Sequence, residues 1–370
     1  MKMHAYVGSY GPNGQGLYSF KQDPASGALQ ALGLSPGPRN PSWLCASADG
    51  AHLFVANEHE DSESGSGEVT AYARDRHNGS LTLINSVASG GARPVHLSLD
   101  ASERFLFVAN YGGGSVAVLP LAAAGRLGPP MMLARHAELF ADGTFGPQPA
   151  EQSCPGSFAI SDHGGPHAHM AQLAPNGRHL LVSDLGLDLM ISWRFDAGRL
   201  SAPQTLAMSP GAGPRHFVFH PQRREHCYVL NEAASTLAWL HFDADNGALS
   251  PRAELSSLPP GFKGTSFASD LRFGADGRHL YCLNRLHDSV AIFALALDGS
   301  IQLLGHEWTR GSYPRSFAID PSGRYLYVCN QRSDHLAVFG VRADGGLDFT
   351  GQYVAVGSPV AICLTAVKGA

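Results

Sequence analysis

Two constellations in this chain have residue types and spacings suited to chemistry. In Gly213-Pro214-Arg215-His216, followed by Asn231-Glu232, an arginine and a histidine open one strand and a glutamate closes the next. A guanidinium is a planar fork matched to carboxylate or phosphate, and Glu and His are the usual general bases. The competing reading is an Arg215–Glu232 salt bridge with a structural role alone. In His167-Ala168-His169, with His163 close by, alternation along a strand puts both imidazoles on one side, as a zinc or iron pair requires. No carboxylate stands at a supporting local spacing, so no metal is expected. A third stretch, Gly112-Gly113-Gly114, resembles a phosphate cradle but joins two strands without a helix N-terminus, and reads better as a turn.

Residues this far apart act together only if a fold gathers them, and the chain carries a repeat that does so. A turn, an apolar strand and a terminal Asn make the unit Ala48-Asp49-Gly50-Ala51-His52-Leu53-Phe54-Val55-Ala56-Asn57. It returns as Ala275-Asp276-Gly277-Arg278-His279-Leu280-Tyr281-Cys282-Leu283-Asn284. The end points Ser9, Asn57, Asn110, Asp184, Asn231, Asn284 and Asn330 lie about 46 to 53 residues apart, with one step of about 74. An alternating strand such as Val290-Ala291-Ile292-Phe293, a Gly-x-Leu turn such as Gly247-Ala248-Leu249 and a fourth short strand complete each unit. Four strands repeated seven times predict an all-β, seven-bladed β-propeller. The inner strand of each blade precedes the Asn segment, and the seventh inner strand, Pro359-Val360-Ala361-Ile362-Cys363, comes from the far end of the chain. The N- and C-terminal strands then share one blade, which leaves no free sheet edge at the closure. Residues 1–370 are expected to form a single propeller domain. An insertion at about 125–165, between blades three and four, falls where it could cover a site.

In a propeller, the loop into the inner strand and the loop after the second strand open on one face around the central channel. That arrangement gathers His96, His167, His169, Arg215, His216 and Arg315 with Glu58, Asn110, Tyr111, Asp184, Glu232 and Arg285. The recurring Asn reads as a cap for blade-corner turns, and Glu58 borders an acidic Ser/Gly-rich stretch that reads as a solvated loop. A formal charge of −5 argues against nucleic acid or anionic membrane as the main partner. No apolar run reaches the length of a membrane span. Met1 leads directly into a strand-like segment, so a cytoplasmic location is expected. The six cysteines show no C-x-x-C spacing and read as reduced thiols.

The motifs Tyr6-Val7-Gly8-Ser9-Tyr10, Ala109-Asn110-Tyr111-Gly112-Gly113-Gly114-Ser115-Val116, Gly165-Pro166-His167-Ala168-His169, Val182-Ser183-Asp184-Leu185-Gly186 and Gly213-Pro214-Arg215-His216-Phe217 with Asn231-Glu232 resemble the propeller-type lactonases. That family includes the bacterial 6-phosphogluconolactonases and is related to the fungal carboxy-muconate lactonising enzymes. The likeness covers essentially the whole chain. It implies hydrolysis of 6-phospho-D-glucono-1,5-lactone to 6-phosphogluconate, the second step of the pentose phosphate route, with no cofactor. By motif position it carries over His167 or His169, Arg215 and Glu232 as the chemical residues. On that basis Glu232, or else His167 or His169, is the expected general base, and Arg215 with His216 the oxyanion donors. Arg315 and Arg285 are then expected to hold the phosphate, with Asp184, Asn110, Tyr111, His96 and Glu58 as further substrate contacts. No G-x-S-x-G elbow occurs, which argues against a serine acyl intermediate. The alternatives are another sugar lactonase, a muconate-type cycloisomerase, or a non-enzymatic propeller scaffold.

Overall fold

The computed structural model describes residues 2–35, 37–140 and 159–367. Seven four-stranded antiparallel sheets form the blades of a β-propeller, each running outwards from an inner strand at the central channel. Blade one is closed as the repeat requires: Pro359–Ala366 pairs with Met3–Ser9, with Tyr6 opposite Cys363 and Val7 opposite Ile362. Leu17–Gln22 and Leu29–Ser35 complete that blade. Among the described residues the only helical elements are three single turns of 3-10 helix, and no helix is long and apolar enough to cross a membrane.

The apolar patterning follows from blades being covered on both faces. Second strands such as His52–Asn57 (HLFVAN) are buried along nearly their whole length, because a neighbouring blade packs against each side. Between blades two and three this brings Phe54, Ala56, Leu97, Val108 and Ala117 into one cluster. Outer strands such as Leu249–Ser256 are mostly exposed. Four fully buried tyrosines tie blades together by donating to glycine carbonyls of the outer turns: Tyr6 to Gly79, Tyr228 to Gly299, Tyr281 to Gly345 and Tyr327 to Gly27, at 2.7–2.8 Å.

The expected insertion resolves into parts. Met132–Arg135 is the outer strand of blade three, pairing with Ser115–Pro120, and a 3-10 turn follows at His136–Leu139. Residues 141–158, including Cys154, lie outside the described residues. From Ala159 the chain returns to the channel mouth ahead of Ala168–Leu173, the inner strand of blade four. The other five cysteines, Cys45, Cys227, Cys282, Cys329 and Cys363, are free thiols within strands.

The feature that makes a site is a bulge near the start of the inner strands. Pairing of inner with second strand skips one residue between Pro94 and His96, Ala168 and Met170, Pro214 and His216, and Pro314 and Ser316. The extra residues are Val95, His169, Arg215 and Arg315. A bulge re-aims the side chain it carries, and these four turn into the channel mouth.

Candidate active site

The channel is pinched near its middle. Trp43 packs on His96 at 4.5 Å and on His216 at 5.2 Å between ring centroids, and His169 meets His216 at 5.1 Å. Only about 10 Å³ of free space remains there. On the side where the inner strands begin, a cavity of about 190 Å³ opens. The four bulge residues line it together with Glu58, Tyr111, Glu232 and Arg285, each of which directly follows the recurring Asn of the repeat. On the far side a funnel of about 760 Å³ is lined mainly by apolar residues such as Leu97, Leu173, Phe219 and Phe273.

Three guanidiniums and two carboxylates meet in the smaller cavity. Glu232 Oε2 lies 2.6 Å from Arg285 Nη2 and 2.9 Å from Arg215 Nε, while Ser161 Oγ donates to Oε1 at 3.1 Å. Burial alone raises the Glu232 pKa, but Arg285 and Arg215 outweigh it and hold the carboxyl below its usual range. Arg285 donates also to the Phe267 and Ala268 carbonyls and to Tyr313 Oη. Across the cavity Arg315 Nη2 donates to Tyr10 Oη at 2.9 Å and to Glu58 Oε2 at 3.3 Å, and Tyr10 in turn donates to Glu58. Counting the five ion-pairing side chains, this mouth carries one net positive charge.

His169 sits among these charges, 5% exposed, with no hydrogen-bond partner at Nδ1. Burial, then the positive field of Arg215, the neighbouring His216, Arg315 and Arg285, push its pKa well below 6.5. Its imidazole is therefore uncharged at neutral pH and has a lone pair available on one nitrogen. Burial first, then Arg285, also lowers Arg215 to about 10, so it remains a cation.

Five expected site residues lie elsewhere. His216 and His96 sit at the pinch and line the far funnel, because the bulge puts the residue before each of them in the mouth instead. His216 Nδ1 pairs with Asp270 Oδ1 at 3.0 Å, and burial pushes its pKa down to about 4. Asn110 is fully buried and donates to the Ser89 carbonyl at 3.3 Å, the corner role foreseen for the recurring Asn. Asp184 is also fully buried: its Oδ1 accepts from the His167 and Leu187 amides and its Oδ2 pairs with His136 at 2.5 Å. His167 does not join His169 as a pair. The bulge at His169 breaks the alternation, and His167 stacks on Tyr111 at 4.5 Å and pairs with Asp162 at 3.3 Å. Among the described residues no group of three or more His, Cys, Asp or Glu is arranged to hold a metal.

Three contributors escaped the sequence reading. Tyr10 follows Ser9 just as Glu58 follows Asn57, so the repeat position itself was the available signal. Tyr313 precedes Pro314 and stacks under both Arg285 (5.1 Å) and Arg332 (3.8 Å). Ser161 has no repeat signal, since it lies in the segment particular to blade four.

A cavity this small, with guanidiniums for a developing oxyanion and an uncharged imidazole for a proton, suits attack of water on a compact carbonyl compound. Comparison with known proteins agrees. The family model for the seven-bladed β-propeller lactonases matches residues 4–364. The 6-phosphogluconolactonase of Bacillus subtilis is 30% identical over 323 residues, covering 87% of this chain and 86% of that protein. A 6-phosphogluconolactonase of Formosa agariphila is 31% identical, covering 86% of each. The periplasmic gluconolactonase of Pseudomonas aeruginosa superposes with a TM-score of 0.87 at 31% identity, covering 99% of this chain and 100% of that one. With its fold, its mouth chemistry and its sequence in agreement, the chain belongs to the seven-bladed β-propeller lactonase family and is a lactonase.

Proposed function

We propose that the protein hydrolyses 6-phospho-D-glucono-1,5-lactone to 6-phosphogluconate at the mouth lined by Arg215, Glu232 and His169. The observation that carries this reading is the meeting of three guanidiniums and an uncharged imidazole in one cavity sized for a single sugar ring. His169 takes the proton of the attacking water as the new C–O bond forms at C1. Arg215 faces the oxyanion, and Glu232 holds Arg215 and Arg285 in register. The ring oxygen leaves as C1–O breaks and recovers the proton from His169. Glu232, bound by two guanidiniums, is a poor proton acceptor, which favours His169 as base. Arg315, whose hydrogen bonds among the described residues go to Tyr10 and Glu58, takes the phosphate. The incoming anion offsets the positive field that depresses His169 and brings its pKa towards the working pH.

A second reading is an unphosphorylated aldonolactone. All three guanidiniums already have a carboxylate partner, and a relative at 31% identity is named a gluconolactonase. Turnover above the spontaneous rate, measured on both lactones with and without chelator, separates the two. A kcat/KM at least about tenfold higher on the phosphorylated lactone is expected. Equal values favour the second reading, and chelator sensitivity would reinstate a metal.

A further inference from the structure

We infer that Ser161 and His163 are positioning residues for this site: the His163 imidazolium, held between Asp188 and the Ser161 carbonyl, keeps the Ser161 hydroxyl on Glu232. The inference rests on the reading of Glu232 as part of the working site.

Asp188 belongs to a recurring joint. Asp188, Asp288 and Asp334 each stand four residues beyond a strand-ending anchor, and each has a positive φ of 52° to 54°. Their carboxylates accept the backbone N–H of Gly213, Tyr313 and Ser358 at 2.7–2.8 Å, the residue just before the proline that opens the next inner strand. This joint is structural and sets the entry angle of one blade against the last. At Asp188 it also carries something more. His163 Nε2 lies 3.1 Å from Asp188 Oδ1, a contact with no histidine counterpart at Asp288 or Asp334 among the described residues. The blade whose entry Asp188 fixes is the one bearing Arg215.

The geometry also favours a charged His163. Its Nδ1 lies 2.8 Å from the Ser161 carbonyl and its Nε2 faces a carboxylate. Both ring nitrogens face oxygen acceptors, an arrangement that the doubly protonated ring satisfies at both ends. The ring is 3% exposed. The charges around it are Asp188, fully buried, and Asp162, which is exposed and shared with His167 at 3.3 Å. Burial works against the imidazolium, but Asp188 and the Ser161 carbonyl outweigh it and raise its pKa above 6.5. The grip is complete below that ordinary value and is lost as pH rises through the raised one.

What the grip positions is specific. Both arginines contact Glu232 at Oε2, and Ser161 donates to the other oxygen, Oε1. Without that bond the carboxylate is held through Oε2 alone, and its orientation between Arg215 and Arg285 is less firmly set.

Wild type, Ser161→Ala and His163→Gln are compared in kcat and KM from pH 5.5 to 9, with the midpoint of His163 in the wild type read by NMR. At pH 6 each variant should lose about tenfold in kcat. The deficit of His163→Gln should shrink towards pH 9, where the wild type has lost the same contact, and the two substitutions together should cost no more than one. A His163 midpoint at or below 6.5, unchanged kcat in Ser161→Ala, or additive losses would each overturn the inference. If His163→Gln does not fold, the wild-type titration and Ser161→Ala still decide it. Absence of lactone turnover in the wild type would refute the substrate reading instead, while leaving the NMR midpoint as measured.

Discussion

Replacing Glu232 by Gln removes one charge from the mouth and leaves its shape nearly unchanged. The carboxylate it removes lies 2.6 Å from Arg285 and 2.9 Å from Arg215, with 13% of its side chain exposed. Breaking a buried pair by deleting one partner costs about 3–5 kcal/mol, and the residual solvent contact places this case near the lower end. For a chain of this length about 3 kcal/mol corresponds to a fall of about 4 °C in Tm. The uncompensated guanidiniums also depress the His169 pKa further, so kcat/KM should fall about a hundredfold. Product binding should move the other way. The mouth gains a net positive charge, and Kd for 6-phosphogluconate, by calorimetry, should tighten about tenfold. That opposition separates the electrostatic account from simple damage, since a misfolded variant loses turnover and binding together. Retention of kcat/KM within twofold, or weaker product binding in a folded variant, would refute the reasoning.

Glu58→Gln frees Arg315 from its carboxylate partner and should lower Kd for 6-phosphogluconate about fivefold, the scale of a partly exposed ion pair; an unchanged or weaker Kd contradicts the assignment of Arg315 to phosphate. His216 has a folded pKa pushed below its unfolded value to about 4. Its neutral form is therefore stabilising, and about 3 kcal/mol should be lost as pH falls from 6.5 to 4, with a further loss from Asp270 only below its ordinary value of 3.8. Thermal melts should show this slope, and His216→Asn should flatten it. Gly186→Ala places a Cβ 2.0 Å from the Gly165 carbonyl oxygen and 2.7 Å from the His167 ring. It should cost about 1–3 kcal/mol and disturb the His167–Tyr111 stack, whereas Gly305→Ala, with open space at its Cβ, should be neutral in melts and turnover.

The fold was legible because seven blades impose seven copies of one pattern, and because Pro359-Val360-Ala361-Ile362-Cys363 supplies the one inner strand absent from the N-terminal end. The lining of the candidate site was legible where it obeys the same repeat. Glu58, Tyr111, Glu232 and Arg285 follow the recurring Asn of the repeat, and Arg215 and Arg315 follow the prolines that open inner strands. It failed where a bulge intervenes. Alternation paired His167 with His169, and a shared place at the start of an inner strand grouped His216 with Arg215 in the mouth, but the bulges at His169 and Arg215 separate each pair. Asn110, read both as a corner cap and as a substrate contact, takes the cap role, and Asp184 lies outside the mouth; a polar residue at a corner looks the same in sequence whether it faces a ligand or satisfies backbone groups. Ser161 was out of reach, since its place depends on a contact between His163 and Asp188 that no repeat encodes.

The most direct test of the central claim is a crystal structure with 6-phosphogluconate bound. The sugar should occupy the cavity of about 190 Å³, with its phosphate on Arg315 and its carboxylate, the former lactone carbonyl, between Arg215 and His169. Product seated in the far funnel of about 760 Å³, or in the mouth with its phosphate away from Arg315, would contradict it.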